Sequence, residues 1–226
     1  MFQGFSPETI DFMWGLRFNN ERSWFEAHRE EYKTLLETPM RALGEDVFRA
    51  FADGKFTPPL QLHVCRIYRD ARRLHGGGPY KDHLWFTIRS PEEEWTDKPV
   101  FWFELRPEEW NCGLGYYQAR PLTMQKLRAR IDTRPEPLLK LDRRLAKQSE
   151  FLLGGGEYAR PKCSPDAPLA RWYNKRTVDL AHGEKIGETL FSPALKDRLA
   201  EGFTFLTPYF QYLASLDGDP DPRLDR

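Results

Sequence analysis

The chain has 226 residues, enough to bury a core without disulfide or metal staples. Its 34 basic and 34 acidic side chains cancel, which argues against bulk attraction to nucleic acid or an anionic membrane, and no apolar run is long enough to span a bilayer. Three cysteines form no CxxC pair and leave one over under any bridging scheme. The N-terminal MFQGFSPETIDFMW has neither a basic region nor a cleavage site, so a reduced, cytoplasmic protein is expected.

Ser6-Pro7-Glu8 reads as a helix start, with Ser as N-cap, Pro at the first helical position and a staple between Phe5 and Ile10; the helix is expected to run to about Arg17. After Asn19-Asn20 a second helix carries Trp24, Phe25, His28, Tyr32 and Leu35 on one face, and a third follows Pro39 with Met40, Leu43, Val47 and Phe51. Beyond Pro58-Pro59 the texture changes. LQLHVCRIY, LWFTIR, VFWFEL and WNCGLGYY are short, aromatic and β-branched, with connections too short for helical crossovers, and predict an antiparallel meander. Pro121 to Ile131 and Pro137 to Lys147 return to helical spacing with strongly basic outer faces, TVDLA reads as a further strand, and Ser192-Pro193 opens a last helix expected to break near Pro208. The expected architecture is one α+β domain over residues 1–226, with a helical part at 1–56, strands at 60–118 and a mainly helical part at 121–216. Its antiparallel sheet would have about four to six strands, with helices mainly on one face.

Several chemistries are excluded by their motifs. GGGPYK is no P-loop, because its Lys is neither preceded by Gly nor followed by Ser or Thr. GLGYYQ lacks the third glycine of a dinucleotide fingerprint and begins no βαβ unit. Ser90, Ser149 and Ser164 lie in no GxSxG elbow. His63 and Cys65 share a strand face, with His75, Asp82 and His83 following, but no second pair with zinc-like spacing appears; neither a metal nor a cofactor is expected. Around Trp172 and Tyr173 the cluster RPKCSPDAPLARWYNKR interleaves aromatic and basic residues, a pattern that suits stacking on bases and also suits a packed Trp with solvated neighbours.

RIYRDARRLHGGGPYKDH, residues 66–83, is the segment richest in chemistry. Arg66, Arg69, Arg72, Arg73 and Lys81 converge if the segment is a strand, a turn through Gly76-Gly77-Gly78 and a return. Guanidinium forks match phosphate or carboxylate, and Asp70 is placed to orient one of them. Surface ion pairs, Arg69 with Asp70 and Lys81 with Asp82, explain the same residues. Asp70, Glu104 and His83 are the candidate acid–base groups, with Glu104 also a natural partner for an arginine of the sheet.

NNERSWFEAHREEY, RIYRDARRLHGGGPYKDH, FELRPEEWNCGLGYY, LRARI and PLARWYNKR, in that order, resemble the family catalogued as domain of unknown function 2461, over nearly the whole chain. The resemblance implies an intracellular α+β domain without an established activity. It marks Asn19, Asn20, Trp24, Phe25, Tyr32, Arg66, Arg69, Asp70, Arg72, Pro79, Tyr80, Lys81, Gly113, Gly115 and Arg128, and assigns none of them a role. The chain departs from the pattern at Arg73-Leu74-His75-Gly76-Gly77-Gly78, where the lysine and aspartate of a Ser-Lys-Asp-Lys-like turn are missing.

Three functions follow as expectations. The first is a binding domain for a phosphorylated or carboxylated small molecule or a nucleic-acid backbone, lined by Arg66, Arg69, Arg72, Tyr80, Lys81 and Arg128. The second is an enzyme using the same pocket with Asp70, Glu104 or His83 moving a proton. The third is an interaction module that docks an acidic partner on the basic stretch Arg120 to Lys147, where nine Lys and Arg face three Asp and Glu.

Overall fold

The computed structural model describes residues 1–70 and 78–224, so the expectations placed on Arg72, Arg73, His75, Gly76 and Gly77 lie outside the described residues. The fold is α+β. Its sheet has six antiparallel strands, β1 (Gln61–Val64), β2 (Leu84–Arg89), β3 (Pro99–Leu105), β4 (Glu109–Tyr116), β5 (Leu152–Gly154) and β6 (Asp179–Lys185), in the order β1-β2-β3-β4-β6-β5. The first four are the expected meander, β6 covers most of TVDLA and extends beyond it, and β5 pairs with β6 with Leu153 opposite Leu180. Among the described residues no helix is long and apolar enough to cross a membrane. The chain divides into two compact units, Met1–Ile88 with Trp102–Cys112 and Gly183–Gly202, and Arg89–Phe101 with Gly113–His182 and Phe203–Arg226.

In the first unit α1 (Pro7–Phe18) starts at Ser6, whose backbone N–H donates to Thr9 Oγ1 at 3.2 Å. The next two expected helices are differently cut. α2 (Arg22–Ala27) stops at His28, whose Nδ1 lies 2.8 Å from the Trp24 carbonyl while its ring stacks on Trp24 at 3.9 Å; a side chain competing for a helix carbonyl is what ends the turn. A short α3 (Arg29–Glu31) and a π-helical stretch, Tyr32–Glu37, then run directly into α4 (Thr38–Phe51).

Pro39 does not separate two helices as its chemistry suggests. It has no N–H to offer the Leu35 carbonyl four residues earlier, and Thr9 Oγ1, from α1, donates to that carbonyl at 2.8 Å. Thr9 is buried, as are Met40, Leu43, Val47 and Phe51 along α4, so apolar burial on one side and a borrowed donor on the other hold the helix through the proline. Thr9→Val keeps the shape and removes both the donor to Leu35 and the acceptor of the Ser6 N–H. It is expected to cost about 1–3 kcal/mol and to lower the melting temperature by several degrees; an unchanged melting curve would mean that neither the Leu35 carbonyl nor the Ser6 N–H depends on Thr9.

The rest of this unit's core is aromatic. Phe5 meets Phe2 edge-on at 5.3 Å and stacks on Phe103 at 6.4 Å, and Phe103 also contacts Phe86 and Trp110.

The second unit contains α5 (Pro121–Thr133), α6 (Glu136–Leu145) and α7 (Ala170–Tyr173). α8 (Leu195–Ala214) passes through Pro208 without the expected break. The reason is burial on both sides of the proline. Phe203, Leu206, Tyr209, Phe210 and Leu213 are all buried, with Phe203 and Phe210 against Phe101 at 5.3 and 5.0 Å, and apolar contact of this extent outweighs the roughly 3 kcal/mol cost of an interior proline. The glycines of GLGYY serve the sheet: a Cβ on Gly113 would overlap the Leu180 carbonyl, and one on Gly115 would lie 2.6 Å from the Asp179 Cβ.

The basic outer face expected on α5 is partly inward. Arg130 is 7% exposed; Nε donates to Asp219 Oδ2 at 2.6 Å, Nη1 to the Tyr212 carbonyl at 3.2 Å and Ser215 Oγ at 2.7 Å, and Nη2 to the Ser215 carbonyl at 2.9 Å.

Candidate functional site

In the first unit the described flanks of the arginine-rich segment, up to Asp70 and from Gly78, pair with each other as a hairpin does, irregularly beyond β1. Cys65 N–H donates to the Trp85 carbonyl, Lys81 N–H to Ile67 and Arg69 N–H to Pro79, at 2.8–2.9 Å, with Tyr68 opposite Tyr80. This register is fixed from outside by Asn20. Its Oδ1 accepts from Tyr80 N–H at 3.0 Å and its Nδ2 donates to the Tyr80 carbonyl at 2.9 Å, so one side chain holds both backbone polar groups of one residue. A Cβ on Gly78 would overlap that amide, which explains the glycine there. Tyr80 itself is a core ring, stacked on Phe25 at 4.0 Å.

The hairpin therefore brings Arg66, Arg69, Tyr80 and Lys81 together, but most of their polar capacity is used internally. The Lys81 ammonium donates to the Arg66 carbonyl and, at 3.0 Å, to the Tyr68 carbonyl, and stands 4.8 Å from the Trp85 ring; burial pushes its pKa down. Arg69 Nε donates to the Tyr80 carbonyl at 2.7 Å. Arg66 is exposed. Arg128 belongs to the second unit, where its guanidinium stands over the Tyr158 ring at 5.4 Å. Asp70 is half-buried at the edge of the described residues.

The hub is Asp82, a residue that sequence reasoning left as a surface partner of Lys81. Arg17 Nε donates to its Oδ2 at 2.6 Å; its Oδ1 lies 3.0 Å from His83 Nδ1 and 3.9 Å from Arg69 Nη2. Burial works to raise the Asp82 pKa, and the hydrogen bonds from His83 and Arg17 outweigh it, holding the carboxyl at about 2. Arg17 also grips both oxygens of Glu108 and lies 4.7 Å from the Trp14 ring. No local signal in the sequence pairs Arg17 with a carboxylate 65 residues away.

Ionised Asp82 can only accept, so the proton of the Asp82–His83 hydrogen bond resides on Nδ1, and Nε2 is the ring nitrogen left to exchange a proton. That nitrogen is 3.7 Å from Glu104 Oε1, and the imidazole stacks on Trp85 at 5.3 Å. Glu104 is held bidentately by Arg106, at 2.9 and 3.1 Å, the sheet arginine expected for it. The side chains of Asp82, His83 and Glu104 each keep about a fifth of their surface open to solvent (20–23%). Among the described residues no group of three or more His, Cys, Asp or Glu could hold a metal ion.

The RPKCSPDAPLARWYNKR cluster resolves differently. Trp172 is 1% exposed and donates through Nε1 to Asp142 Oδ1, which also accepts from Arg171, so that indole is core and not a stacking platform.

An antiparallel α+β protein whose charged hairpin surrounds an aspartate–histidine pair is the class that the fold and this geometry define. The family model described as a conserved hypothetical protein (DUF2461) matches residues 8–212, and the chain belongs to that family. Among curated proteins none matches the chain.

Proposed function

We propose that the first unit binds a small polar ligand at His83 Nε2 and moves a proton on it, with the positive charge of Arg69 and Arg66 flanking an anionic group of the same molecule. The carrying observation is the His83 ring itself, fixed at Nδ1 by an ionised aspartate and presenting Nε2 beside Glu104 in a part-open position. A carboxylate that fixes tautomer and ring orientation is what a general base requires. Of the sequence candidates, His83 takes the proton-transfer role, Glu104 the neighbouring carboxylate, and Arg66 and Arg69 the charge. Lys81 and Tyr80 build the hairpin that presents them, consistent with their internal bonds. The docking reading for the basic helices is less well supported, because Arg120 is paired with Glu94 and Asp97, and Arg130 with Asp219.

The test is a thermal-shift panel of carboxylates, phosphate monoesters and nucleotides on wild type, His83→Ala and Arg69→Ala, with folding checked by circular dichroism. At least one compound is expected to raise the wild-type melting temperature and to lose that effect in both variants. If folded His83→Ala responds to every compound as wild type does, the reading is wrong.

A further inference from the structure

In the second unit Arg128 is a cation without its natural acid. Asp132, one turn further along α5 and at the spacing that favours an ion pair, instead accepts from the Tyr173 hydroxyl at 3.0 Å. Among the described residues Arg128 makes no ion pair, and its Nη1 is closed off from solvent without a hydrogen-bond partner. A buried guanidinium N–H left unpaired is costly, and the guanidinium is instead set against the Tyr158 ring.

A second cation approaches the same ring. The Lys162 ammonium lies 4.8 Å from the Tyr158 centroid, and the lysine is exposed and makes no ion pair among the described residues. Its position is built, not incidental. Asn174 Oδ1 accepts from the backbone N–H groups of Lys162 and Cys163 at 2.7 and 3.1 Å, and Glu157 is bridged to Lys175 both through the backbone and through a 2.8 Å ion pair. Gln125, on the same side of α5 one turn before Arg128, has a buried Oε1 that receives no hydrogen bond.

We propose that Arg128 and Lys162 form an anion site at the Tyr158 ring, and that it takes a phosphate group. Two cations ask for an anionic oxygen acceptor, and the Gln125 carbonyl asks for a donor. Phosphate in its monohydrogen form offers both on one group, whereas sulfate matches it in shape and charge but has no proton to give. The site is independent of His83 and stands or falls separately from the proposed function.

The experiment is isothermal titration of the full chain with inorganic phosphate and with sodium sulfate at matched ionic strength. Wild type is expected to bind phosphate in the millimolar range or tighter, and sulfate about tenfold more weakly. Arg128→Met should abolish binding, Lys162→Ala weaken it about tenfold, and Gln125→Leu remove the preference for phosphate over sulfate. Arg143→Ala, exposed on α6, should bind as wild type does. Absence of phosphate binding in wild type, binding unaltered in folded Arg128→Met and Lys162→Ala, or equal heats with sodium chloride would each overturn the site. Lys162→Ala alters an exposed side chain and keeps the test meaningful if Arg128→Met fails to fold.

Discussion

Arg130→Ala is expected to be among the most destabilising single substitutions in the chain, costing about 3–5 kcal/mol and lowering the melting temperature by on the order of 10 °C. The guanidinium is 7% exposed and satisfies four acceptors from the C-terminal segment, two of them backbone carbonyls. Its removal takes a donor from the Ser215 and Tyr212 carbonyls, leaves Asp219 without its counter-charge and opens a void beside Tyr212, whose ring is 5.1 Å from the guanidinium. Arg130→Lys keeps the charge but cannot reach acceptors on both sides of a planar fork, so it should recover only part of the loss. Arg143→Ala, exposed on α6, should stay within about 0.5 kcal/mol of wild type. Differential scanning calorimetry on the three variants decides the matter: an Arg130→Ala transition coincident with wild type would show that the C-terminal segment is not anchored through this residue.

Arg130 also shows where sequence reading stops. As one of nine basic residues between Arg120 and Lys147 it reads as part of a solvated face, and the acidic tail that supplies Asp219 reads as a separate charge run. Its place between Leu127 and Ile131 on the helical repeat was the available signal, since Leu127 and Ile131 are core residues. The meander was legible because short aromatic and β-branched runs with tight connections admit few arrangements. The helix ends at Pro39 and Pro208 were not, because both prolines are overridden by contacts from distant residues, a hydroxyl from Thr9 in one case and the Phe101 ring packing in the other. For the hairpin, residue types marked the right segment and missed its organisation. Two aspartates, Asp70 and Asp82, were available to the arginines, and only the pairing of Arg69 with Pro79, held by Asn20, places Asp82 among Arg17, Arg69 and His83. Arg17 comes from α1 and Asn20 from the polar turn after it, at sequence separations of roughly sixty residues that no local pattern encodes.

Acid should expose Asp82 as the keystone of this network. In an unfolded chain an aspartate titrates near ~3.9, and in the fold Asp82 titrates at about 2. A carboxyl whose folded pKa lies below its unfolded one stabilises the protein above the unfolded value, and that contribution drains away as the pH falls from about 4 toward about 2. The difference of nearly two pK units corresponds to about 2.6 kcal/mol, and solvent screening of a side chain 23% exposed lowers it to about 2 kcal/mol at neutral pH. Asp82→Asn cannot ionise and should therefore lie about 2 kcal/mol below wild type near pH 7 in urea unfolding, with the gap narrowing to a fraction of that as the pH approaches about 2. Two curves separated by the same amount at both pH values would mean that the effect is steric and that Asp82 carries no pairing energy. The same variant bears on His83. An asparagine beside Nδ1 can present either its oxygen or its amide nitrogen, so the ring is no longer obliged to keep its proton on Nδ1. A ligand that engages Nε2 should then bind Asp82→Asn more weakly at a pH where both proteins are fully folded, which separates loss of stability from loss of the poised imidazole.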